Sequence, residues 1–531
     1  MGQLGAVSGD GGALYGVEWV PGVSGARDAV WVPWEGLSQV SDVPGTVVLD
    51  CGEVVSSAGV DVPAGVRSVV HRVLGVVQEW LAGERFAGSR LVVVTRGAVA
   101  VAGAAGDVVQ APVWGLVRAA LSENPGRFAL ADVDGGGDAA VDVAVAAVAA
   151  GESEVAVRDG AVLVPRLTRL PSPVHGDVDA FDGTVPALDG AGAVLVTGGT
   201  GGLGAVVARY LVAERGVRDL VLTSRRGPDA PGATELADEI RAMGARVDIV
   251  ACDVSDREQV DALVTSLTAD RGLLAVVHAA GVGDNGLVGA LSPERVDGVL
   301  APKADAAWWL HEATAGMDLA AFVLFSSAGG LVLTAGQGNY AAANVFLDAL
   351  AARRRAEGLP ATSMAFGFWD VGAGLGQYLS EVDRRRMASQ GLPVLSYEAG
   401  LELFAAGLDR AEATVVPLRV DTAALRTRTD EVPALLRALA PATRRQAAAV
   451  ASAVTAAGGL ADRLAGLTAG ERHRTVLQLV RSQVAAVLGH GSAEAIGPDR
   501  AFQELGFDSL AATELRNQLN TLTGLRLPAT L

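Results

Sequence analysis

Hydrophobic and polar positions along this chain follow two spacings that alternate from one segment to the next. Short runs of β-branched and apolar residues, such as 46–50, 91–95 and 194–197, predict buried strands. Between them, runs such as 66–80 repeat apolar residues every three or four positions, which predicts amphipathic helices. Strands that alternate with helices are typical of a parallel sheet covered by helices, so we expect an α/β fold.

The alternation fills two stretches and then stops. The first stretch resembles a degenerate copy of the second: run 91–98 stands where run 194–201 stands later, but without the spaced glycines. A structural role for the first stretch is favoured, and a second nucleotide site is the alternative. We divide the chain into a first subdomain (1–180), a second subdomain (181–430), a linker rich in Ala and Arg (431–465) and a helical segment (466–531).

Composition narrows the class of protein. The 531 residues carry a formal net charge of -18, which argues against nucleic acid as a partner. The two cysteines are far apart in sequence, so we expect neither a disulfide framework nor a metal site. No apolar run reaches the length of a membrane span and the N-terminus lacks a signal-like pattern, so we expect a cytoplasmic protein without a membrane partner.

Run 194–204 predicts a strand, a glycine-rich turn and the start of a helix. Glycine lets the backbone approach a pyrophosphate closely, and the free N–H groups at a helix N-terminus attract its charge. The same pattern also occurs in ordinary tight turns. The polar residues that follow the next strands therefore decide between a dinucleotide site and a simple turn.

Those polar residues favour NADPH. Ser224, Arg225 and Arg226 end the second strand of this stretch, where an NAD site is expected to carry an acid for the ribose hydroxyl. Arginines suit a 2′-phosphate through charge and forked hydrogen bonds, and two solvated arginines opening a loop are the alternative. Asp253, after the third strand, is favoured as an acceptor for the adenine amino group, although an Asp in such a turn is often only a cap.

A second set of polar residues fits the reduction of a ketone. Tyr340 and Asn344 lie one helical turn apart, after the predicted strand that ends at Ser327. Hydride transfer to a ketone leaves an alkoxide that needs a proton, and a phenol supplies it when a nearby cation stabilises the phenolate. Lys303 is the candidate for that cation, and Ser327 for the donor that polarises the ketone. Each residue alone also has an ordinary structural explanation.

Together these residues resemble the short-chain dehydrogenase/reductase superfamily. Run 197–204 matches its cofactor pattern Thr-Gly-x-x-x-Gly-x-Gly, and run 278–281, His-Ala-Ala-Gly, stands where members have Asn-Asn-Ala-Gly. Most members carry Tyr-x-x-x-Lys, whereas this chain has Tyr340-x-x-x-Asn344 with Lys303 upstream. This exchange of Lys and Asn resembles the ketoreductase domains of modular type I polyketide synthases.

The resemblance implies NADPH-dependent reduction of the β-keto group of a carrier-bound acyl thioester to a β-hydroxyl. Tyr340 would donate the proton, and Ser327 would polarise the ketone. Lys303 would hold the ribose and favour the phenolate, while Asn344 would anchor a water or a backbone group. The fold would comprise two Rossmann-like subdomains, a truncated structural one without cofactor and a complete catalytic one. The residues expected to bind the cofactor are Thr197, Gly198, Thr200, Gly202, Leu203, Gly204, Ser224, Arg225, Arg226, Asp253, Val254, Ala279, Ala280 and Gly281.

The C-terminal segment is similar to the start of an acyl carrier protein. Run 506–510 reads Gly-Phe-Asp-Ser-Leu, in which the family attaches phosphopantetheine to the serine, here Ser509. Taken alone, the pentapeptide is only the start of a capped helix. The resemblance makes an acyl carrier protein, neighbouring polyketide synthase domains and a β-ketoacyl thioester the expected partners. Run 378–391 is similar to the family's mobile lid.

Four positions bear on the configuration of the product. A-type reductases of the family carry Trp eight residues before the catalytic tyrosine, where this chain has Val332, so B-type is favoured. B-type members usually read Leu-Asp-Asp after the His-Ala-Ala-Gly element, and Gly-Asp284-Asn285 only partly fits that pattern. Gln337 is the fourth position that we expect to contribute.

The main alternative function is a domain of the same fold that no longer reduces and serves as a structural or epimerising unit. Such a domain would be expected to lose the tyrosine or the glycine loop, and both are present. A free-standing dehydrogenase of small alcohols is less consistent with the degenerate first subdomain and the carrier-like segment. If the chain only bound a carrier, there would be no reason for the set of Ser327, Lys303, Tyr340 and Asn344.

Overall fold

The computed structural model of this chain describes residues 12–25, 30–52, 61–135, 137–171, 188–372, 381–428, 432–440, 460–488, 492–498, 500–525 and 527. One mixed sheet runs through both α/β subdomains of this part. In chain order its strands are β1 (Ala13–Pro21), β2 (Val32–Pro33), β3 (Thr46–Asp50), β4 (Arg90–Arg96), β5 (Phe128–Val133), β6 (Glu154–Arg158), β7 (Ala161–Arg169), β8 (Ala193–Thr197), β9 (Asp219–Ser224), β10 (Arg246–Ala251), β11 (Leu273–His278), β12 (Ala321–Ser327), β13 (Thr362–Phe366) and β14 (Thr414–Leu418).

Helices cover the sheet and form the C-terminal segment, so the predicted α/β fold with two Rossmann-like subdomains is confirmed. In chain order the helices are α1 (Val62–Ala82), α2 (Ala111–Glu123), α3 (Gly137–Ala149), α4 (Gly202–Glu214), α5 (Ala233–Ala242), α6 (Arg257–Asp270), α7 (Pro293–Leu300), α8 (Ala306–Thr314), α9 (Gly338–Ala356), α10 (Glu381–Ser389), α11 (Tyr397–Leu408), α12 (Thr422–Thr427), α13 (Leu460–Ala465), α14 (Ala469–Val487) and α15 (Ser509–Thr523).

The two subdomains share their sheet, whose strands lie in the order β10-β9-β8-β11-β12-β13-β14-β1-β7-β6-β5-β4-β3-β2. Neighbours from β10 to β14 are parallel. Strand β1 lies between β14 and β7 and is antiparallel to both, which joins the two halves. The sequence pattern did not predict this junction, because β1 and β14 are distant in sequence and their pairing leaves no local signal.

Strand β8 is buried on both faces. Ala193 and Leu195 point into one core cluster, whereas Val194 and Val196 point into the other. All four side chains are fully buried. A strand covered by helices on both sides needs no polar alternation, which explains the unbroken apolar run in the sequence.

Helix α2 of the first subdomain packs closely against α9 of the second. A Cβ atom on Gly115 of α2 would lie 2.3 Å from the carbonyl carbon of Ala341 in α9, so only glycine permits this approach. Both helices are lined with small residues at the contact, including Ala119 and Ala342, which are fully buried. The first subdomain therefore fixes the helix that carries Tyr340.

Beyond residue 430 the chain stays packed against both α/β subdomains. Residues 434–436, which the sequence places in the linker, form a short helical turn that buries Leu435 and Leu436 beside Tyr15 and Leu167. Residues 441–459 of the predicted linker lie outside the described residues.

Helices α14 and α15 form a small core of their own. Asp508 caps α15 by accepting a hydrogen bond from the backbone N–H of Ala511 at 2.7 Å. The apolar faces of the two helices meet in a cluster of Val484, Ala485, Val487, Leu488, Ile496, Ala511, Leu515 and Leu519. Among the described helices, none combines the length and the apolar character that crossing a membrane requires.

Candidate active site

The carboxyl ends of β8, β9, β11 and β12 open into one large cavity of about 1940 Å³. Strand order reverses at β8, since β9 lies on one side and β11 on the other, and such a switch point leaves a crevice beyond the strand ends. The cavity lining includes most of the residues predicted to bind a cofactor, namely Gly198, Thr200, Gly202, Leu203, Gly204, Ser224, Arg225, Asp253, Val254, Ala279, Ala280 and Gly281. Thr197 and Arg226 are the two that lie outside this lining.

The glycine loop after β8 needs its glycines. Gly198 adopts a left-handed conformation with φ of +67°, and a Cβ there would lie 2.9 Å from the backbone of Ala280. A Cβ on Gly204 would lie 2.3 Å from the carbonyl oxygen of Gly198. The turn and the first residues of α4 are thus a bare backbone surface at a helix N-terminus, which suits a pyrophosphate group.

Thr197 does not line the cavity and instead forms a hydrogen bond with the buried His278. Nε2 of the buried His278 lies 2.9 Å from the carbonyl oxygen of Lys303, and since a carbonyl only accepts, Nε2 carries the proton. Nδ1 then accepts from the Thr197 hydroxyl at 2.7 Å. Burial lowers the pKa of His278 to about 4, and the Lys303 ammonium adds to this shift, so the imidazole is neutral near pH 7. This chain of bonds ties β8 and β11 to the turn that carries Lys303.

Lys303 is the only lysine in the sequence, and it lies at the base of the cavity. It belongs to a π-helical turn (Ala301–Asp305) between α7 and α8 and is 4% exposed. Its ammonium donates a hydrogen bond of 2.9 Å to the carbonyl oxygen of Phe325 and lies 4.8 Å from the ring centroid of Tyr340. The predicted cation is therefore beside the predicted acid, although it comes from a different helix.

Ser327 and Tyr340 line the same cavity from adjoining elements. Ser327 ends β12, and its hydroxyl accepts from the N–H of Gly329 at 3.0 Å. The bond that this hydroxyl donates to Phe366 is long, at 3.5 Å, so a better acceptor placed in the cavity competes for it easily. Tyr340 lies in the first turn of α9 and is half-buried.

Asn344 supports the helix that carries Tyr340. Its amide nitrogen donates to the carbonyl oxygen of Tyr340, one turn earlier in the same helix, at 2.8 Å. Its carbonyl oxygen is buried and finds no hydrogen-bond partner among the described residues. A buried acceptor of this kind fits a bound water molecule next to the reacting groups.

The four predicted stereocontrol positions do not all face the cavity. Asn285, Val332 and Gln337 line it. The carboxylate of Asp284 instead pairs with Arg295, at 2.5 and 2.8 Å, and lies outside the lining. This ion pair holds the pKa of Asp284 below its usual range and fixes the loop that carries Asn285.

Glu123, the last residue of α2, also lines the cavity, which the sequence pattern does not reveal. Its carboxylate is 3% exposed and accepts backbone N–H bonds of 2.9 Å from both Gly336 and Val288. Gly336 lies in the loop that enters α9, and Val288 follows the loop that carries Asn285. The residue thus holds two cavity loops from another subdomain. A lone glutamate at a helix end gives no such signal in sequence.

The carrier-like segment also reaches the cavity. Asp508, Ser509 and Leu510, at the start of α15, line its outer part. The predicted attachment residue, Ser509, therefore borders the same space as Lys303, Ser327 and Tyr340.

Comparisons with known proteins agree with this architecture. Three sequence families match along the chain: the "Polyketide synthase extender module SpnB, Rossmann fold domain" over 17–167, the "KR domain" over 192–371 and the "Phosphopantetheine attachment site" over 478–531. The chain is 48% identical to "Polyketide synthase GfsA" of Streptomyces halstedii, over 98% of this chain but 7% of that protein. It is also 48% identical to "Polyketide synthase GfsE" of the same organism, over 100% of this chain and 13% of that protein. The chain therefore spans about a tenth of the length of these relatives.

Solved structures resemble most of the chain. "Structure of A1-type ketoreductase" matches with a TM-score of 0.71 and 31% identity, over 81% of this chain and 98% of that one. "Structure of A-type Ketoreductases from Modular Polyketide Synthase" matches with a TM-score of 0.69 and 31% identity, over 80% and 98%. The chain therefore belongs to the ketoreductases of modular polyketide synthases and continues into a carrier-protein segment.

Proposed function

We propose that this ketoreductase reduces the β-keto group of a carrier-bound β-ketoacyl thioester to a β-hydroxyl, with NADPH as the reductant. The observation that carries the proposal is the placement of the Lys303 ammonium 4.8 Å from the Tyr340 ring, in the cavity that the glycine loop borders. The bare backbone at Gly198 and Gly204 fits a dinucleotide. When bound, NADPH supplies the hydride.

Residues of the chain then stabilise the developing charge and supply the proton. Reduction of the β-carbon would place the electron pair of the carbon–oxygen π bond on oxygen. Ser327 donates a hydrogen bond to that oxygen as its charge grows. The phenol of Tyr340 transfers its proton to the alkoxide, and the ammonium of Lys303 stabilises the phenolate that remains. Solvent protons restore the phenol, for which the buried acceptor on Asn344 offers a place to hold water.

NADPH rather than NADH is favoured by Arg225. Its exposed side chain lines the cavity just beyond β9, where the ribose of a dinucleotide lies in this type of fold. A guanidinium suits a 2′-phosphate through charge and paired hydrogen bonds. Arg226 is also exposed but lies outside the cavity lining.

We assign no cofactor to the first subdomain, which we take to be structural. The end of β4 corresponds to the end of β8, but the polar groups at the end of β4 already form hydrogen bonds within the protein. Asp132 accepts from the Thr95 hydroxyl at 2.6 Å and from the N–H of Ala98 at 2.7 Å. The indole N–H of Trp114 donates to the same hydroxyl at 2.9 Å. A phosphate group would have to displace all three bonds.

Ser509 is the proposed site for phosphopantetheine, because Asp508 caps α15 and leaves the serine in its first turn, at the cavity. Val332 supports the B-type configuration, since valine stands where A-type reductases of the family carry tryptophan. The boundaries at 180, 430 and 465 remain predictions. No observation favours the epimerising or inactive alternative, because the tyrosine, the lysine and the glycine loop are all in place.

The proposed function is tested by following NADPH oxidation with a β-ketoacyl N-acetylcysteamine thioester, with chiral analysis of the alcohol. Tyr340→Phe is expected to lower kcat by about a hundredfold or more. Tyr210→Phe is the matched control, since its hydroxyl bonds Arg215 outside the cavity. Absence of turnover by the wild type, or full turnover by Tyr340→Phe, would overturn the proposal. A dominant A-type alcohol would overturn only the stereochemical assignment.

A further inference from the structure

Helix α15 of the carrier segment lies against the C-terminal end of α2. The guanidinium of Arg516 donates to the carbonyl oxygen of Glu123 at 3.0 Å and to the side chain of Asn124 at 3.3 Å. The amide of Asn517 donates to the same carbonyl oxygen at 2.9 Å. Two adjacent carrier side chains thus converge on the last residue of one helix.

The chemistry of that helix end favours a cation. The last carbonyl groups of a helix have no partner within the helix and carry the negative end of its dipole. Asn124 follows α2 directly, and its side-chain oxygen adds a further hydrogen-bond acceptor. An arginine supplies several donors together with the matching charge. The contact is therefore complementary in both hydrogen bonding and electrostatics.

The same contact brings the attachment site to the cavity. Leu510 lies beside the loop that enters α9, where a Cβ on Gly336 would be 3.6 Å from its Cδ2 atom. Ser509 and Thr513 line the cavity that also holds Ser327 and Tyr340. A flexible arm attached at Ser509 thus has an open path to the reacting groups without leaving this cavity.

We propose that the C-terminal end of α2 is the surface on which an acyl carrier docks through α15 when it delivers its substrate. This inference rests on the proposed function and specifies where the carrier binds. The surface belongs to the structural subdomain, so that subdomain contributes to substrate delivery as well as to packing. Glu123 connects the two tasks, since its carbonyl oxygen meets the carrier while its carboxylate holds Gly336 and Val288.

The test uses the full chain with a tethered substrate. Ser509→Cys introduces an exposed thiol, whereas the two native cysteines are both buried. A bromoacetyl linker that ends in a pantetheine β-ketoacyl thioester is attached there. Single-turnover NADPH oxidation gives the tethered rate, and the free N-acetylcysteamine thioester gives a reference rate on the same protein.

Arg516→Ala in this background is expected to lower the ratio of tethered to free rate by about fivefold or more, because it removes charged hydrogen bonds to the docking surface. Arg516→Lys, which keeps the charge, is expected to recover part of that loss. Asn517→Ala is expected to lower the ratio by a smaller factor. Because it removes the other hydrogen bond of the same contact, it tests the docking surface even if Arg516→Ala misfolds. Arg474→Ala, an exposed arginine on α14, is the matched control and should leave the ratio unchanged.

The outcomes separate the two proposals. An unchanged ratio in both Arg516→Ala and Asn517→Ala would overturn the docking surface, as would a tethered substrate that is not reduced while the free thioester is. An equal loss of both rates would also overturn it, because Arg516 would then act on catalysis or folding. If the wild type reduced neither substrate, the proposed function itself would be wrong.

Discussion

The ammonium of Lys303 lies 4.8 Å from the ring centroid of Tyr340, held there by a hydrogen bond of 2.9 Å to the carbonyl oxygen of Phe325. The two residues come from different helices, so their pairing depends on the tertiary structure. His278 fixes the same turn from below through the carbonyl oxygen of Lys303. A buried cation beside a phenol is the arrangement that stabilises a phenolate.

Lys303→Met is expected to lower kcat for the β-ketoacyl thioester by about a hundredfold, because the phenolate loses its neighbouring cation. Lys303→Arg keeps the charge but not the compact ammonium, and we expect intermediate activity. Steady-state kinetics with both variants checks this. Activity of Lys303→Met equal to that of the wild type would remove Lys303 from the mechanism.

Because Lys303 is the only lysine of the sequence, it can be followed without other lysine signals. If it holds the ribose of the cofactor, saturating NADPH should slow its modification by an amine-reactive reagent by about tenfold. Mass spectrometry of the peptide containing Lys303 measures the rate. Adenosine alone is the control ligand and should protect less. Equal rates with and without NADPH would contradict contact between this side chain and the cofactor.

The two arginines after β9 should differ in their effect on cofactor choice. Arg225 lines the cavity and Arg226 does not. We expect Arg225→Ala to lower kcat/KM for NADPH by about tenfold, through loss of a charged hydrogen bond, and to change kcat/KM for NADH little. Arg226→Ala is the matched control. A larger loss in Arg226→Ala than in Arg225→Ala would reverse the assignment.

Glu123 should make stability depend on pH. Burial raises the pKa of its carboxyl from 4.5 to about 7, against the opposing effect of its two N–H donors and Arg516. Between these values the folded chain holds a proton that the unfolded chain has lost, so the free energy of unfolding falls as pH rises. The contribution amounts to about 3 kcal/mol over the whole window.

Glu123→Gln removes this titration. Urea unfolding of wild type and variant, from about pH 5 to about pH 7.5, should therefore show the wild type losing stability relative to the variant as pH rises. Glu235→Gln, at an exposed position on α5, is the matched control. A difference between wild type and Glu123→Gln that does not change with pH would show that Glu123 is ionised throughout.

Local sequence patterns predicted the structural elements that depend on residues close together in the sequence. The strand and glycine turn at 194–204 could be predicted because a buried strand and a phosphate loop each require particular residue types at a few neighbouring positions. The family resemblance then placed Tyr340, Ser327 and Lys303 in roles that their positions around one cavity support.

Contacts between distant segments could not be predicted from the sequence. The antiparallel junction of β1 with β14, the close packing of Gly115 on Ala341 and the two bonds to Glu123 join parts that no local periodicity connects. Asp284 shows the converse limit. The motif predicts a part in stereocontrol, but it does not reveal that the carboxylate pairs with Arg295, which itself lines the cavity.

The fate of the transferred hydrogen shows most directly whether this chain reduces the β-keto group. The wild-type chain is supplied with a β-ketoacyl thioester and NADPH deuterated at the transferred position, and the product is analysed by mass spectrometry and NMR. The account predicts a β-hydroxyacyl thioester with deuterium on the β-carbon and none from the cofactor on the α-carbon. A β-carbon without deuterium, or solvent exchange at the α-carbon with the ketone intact, would contradict it.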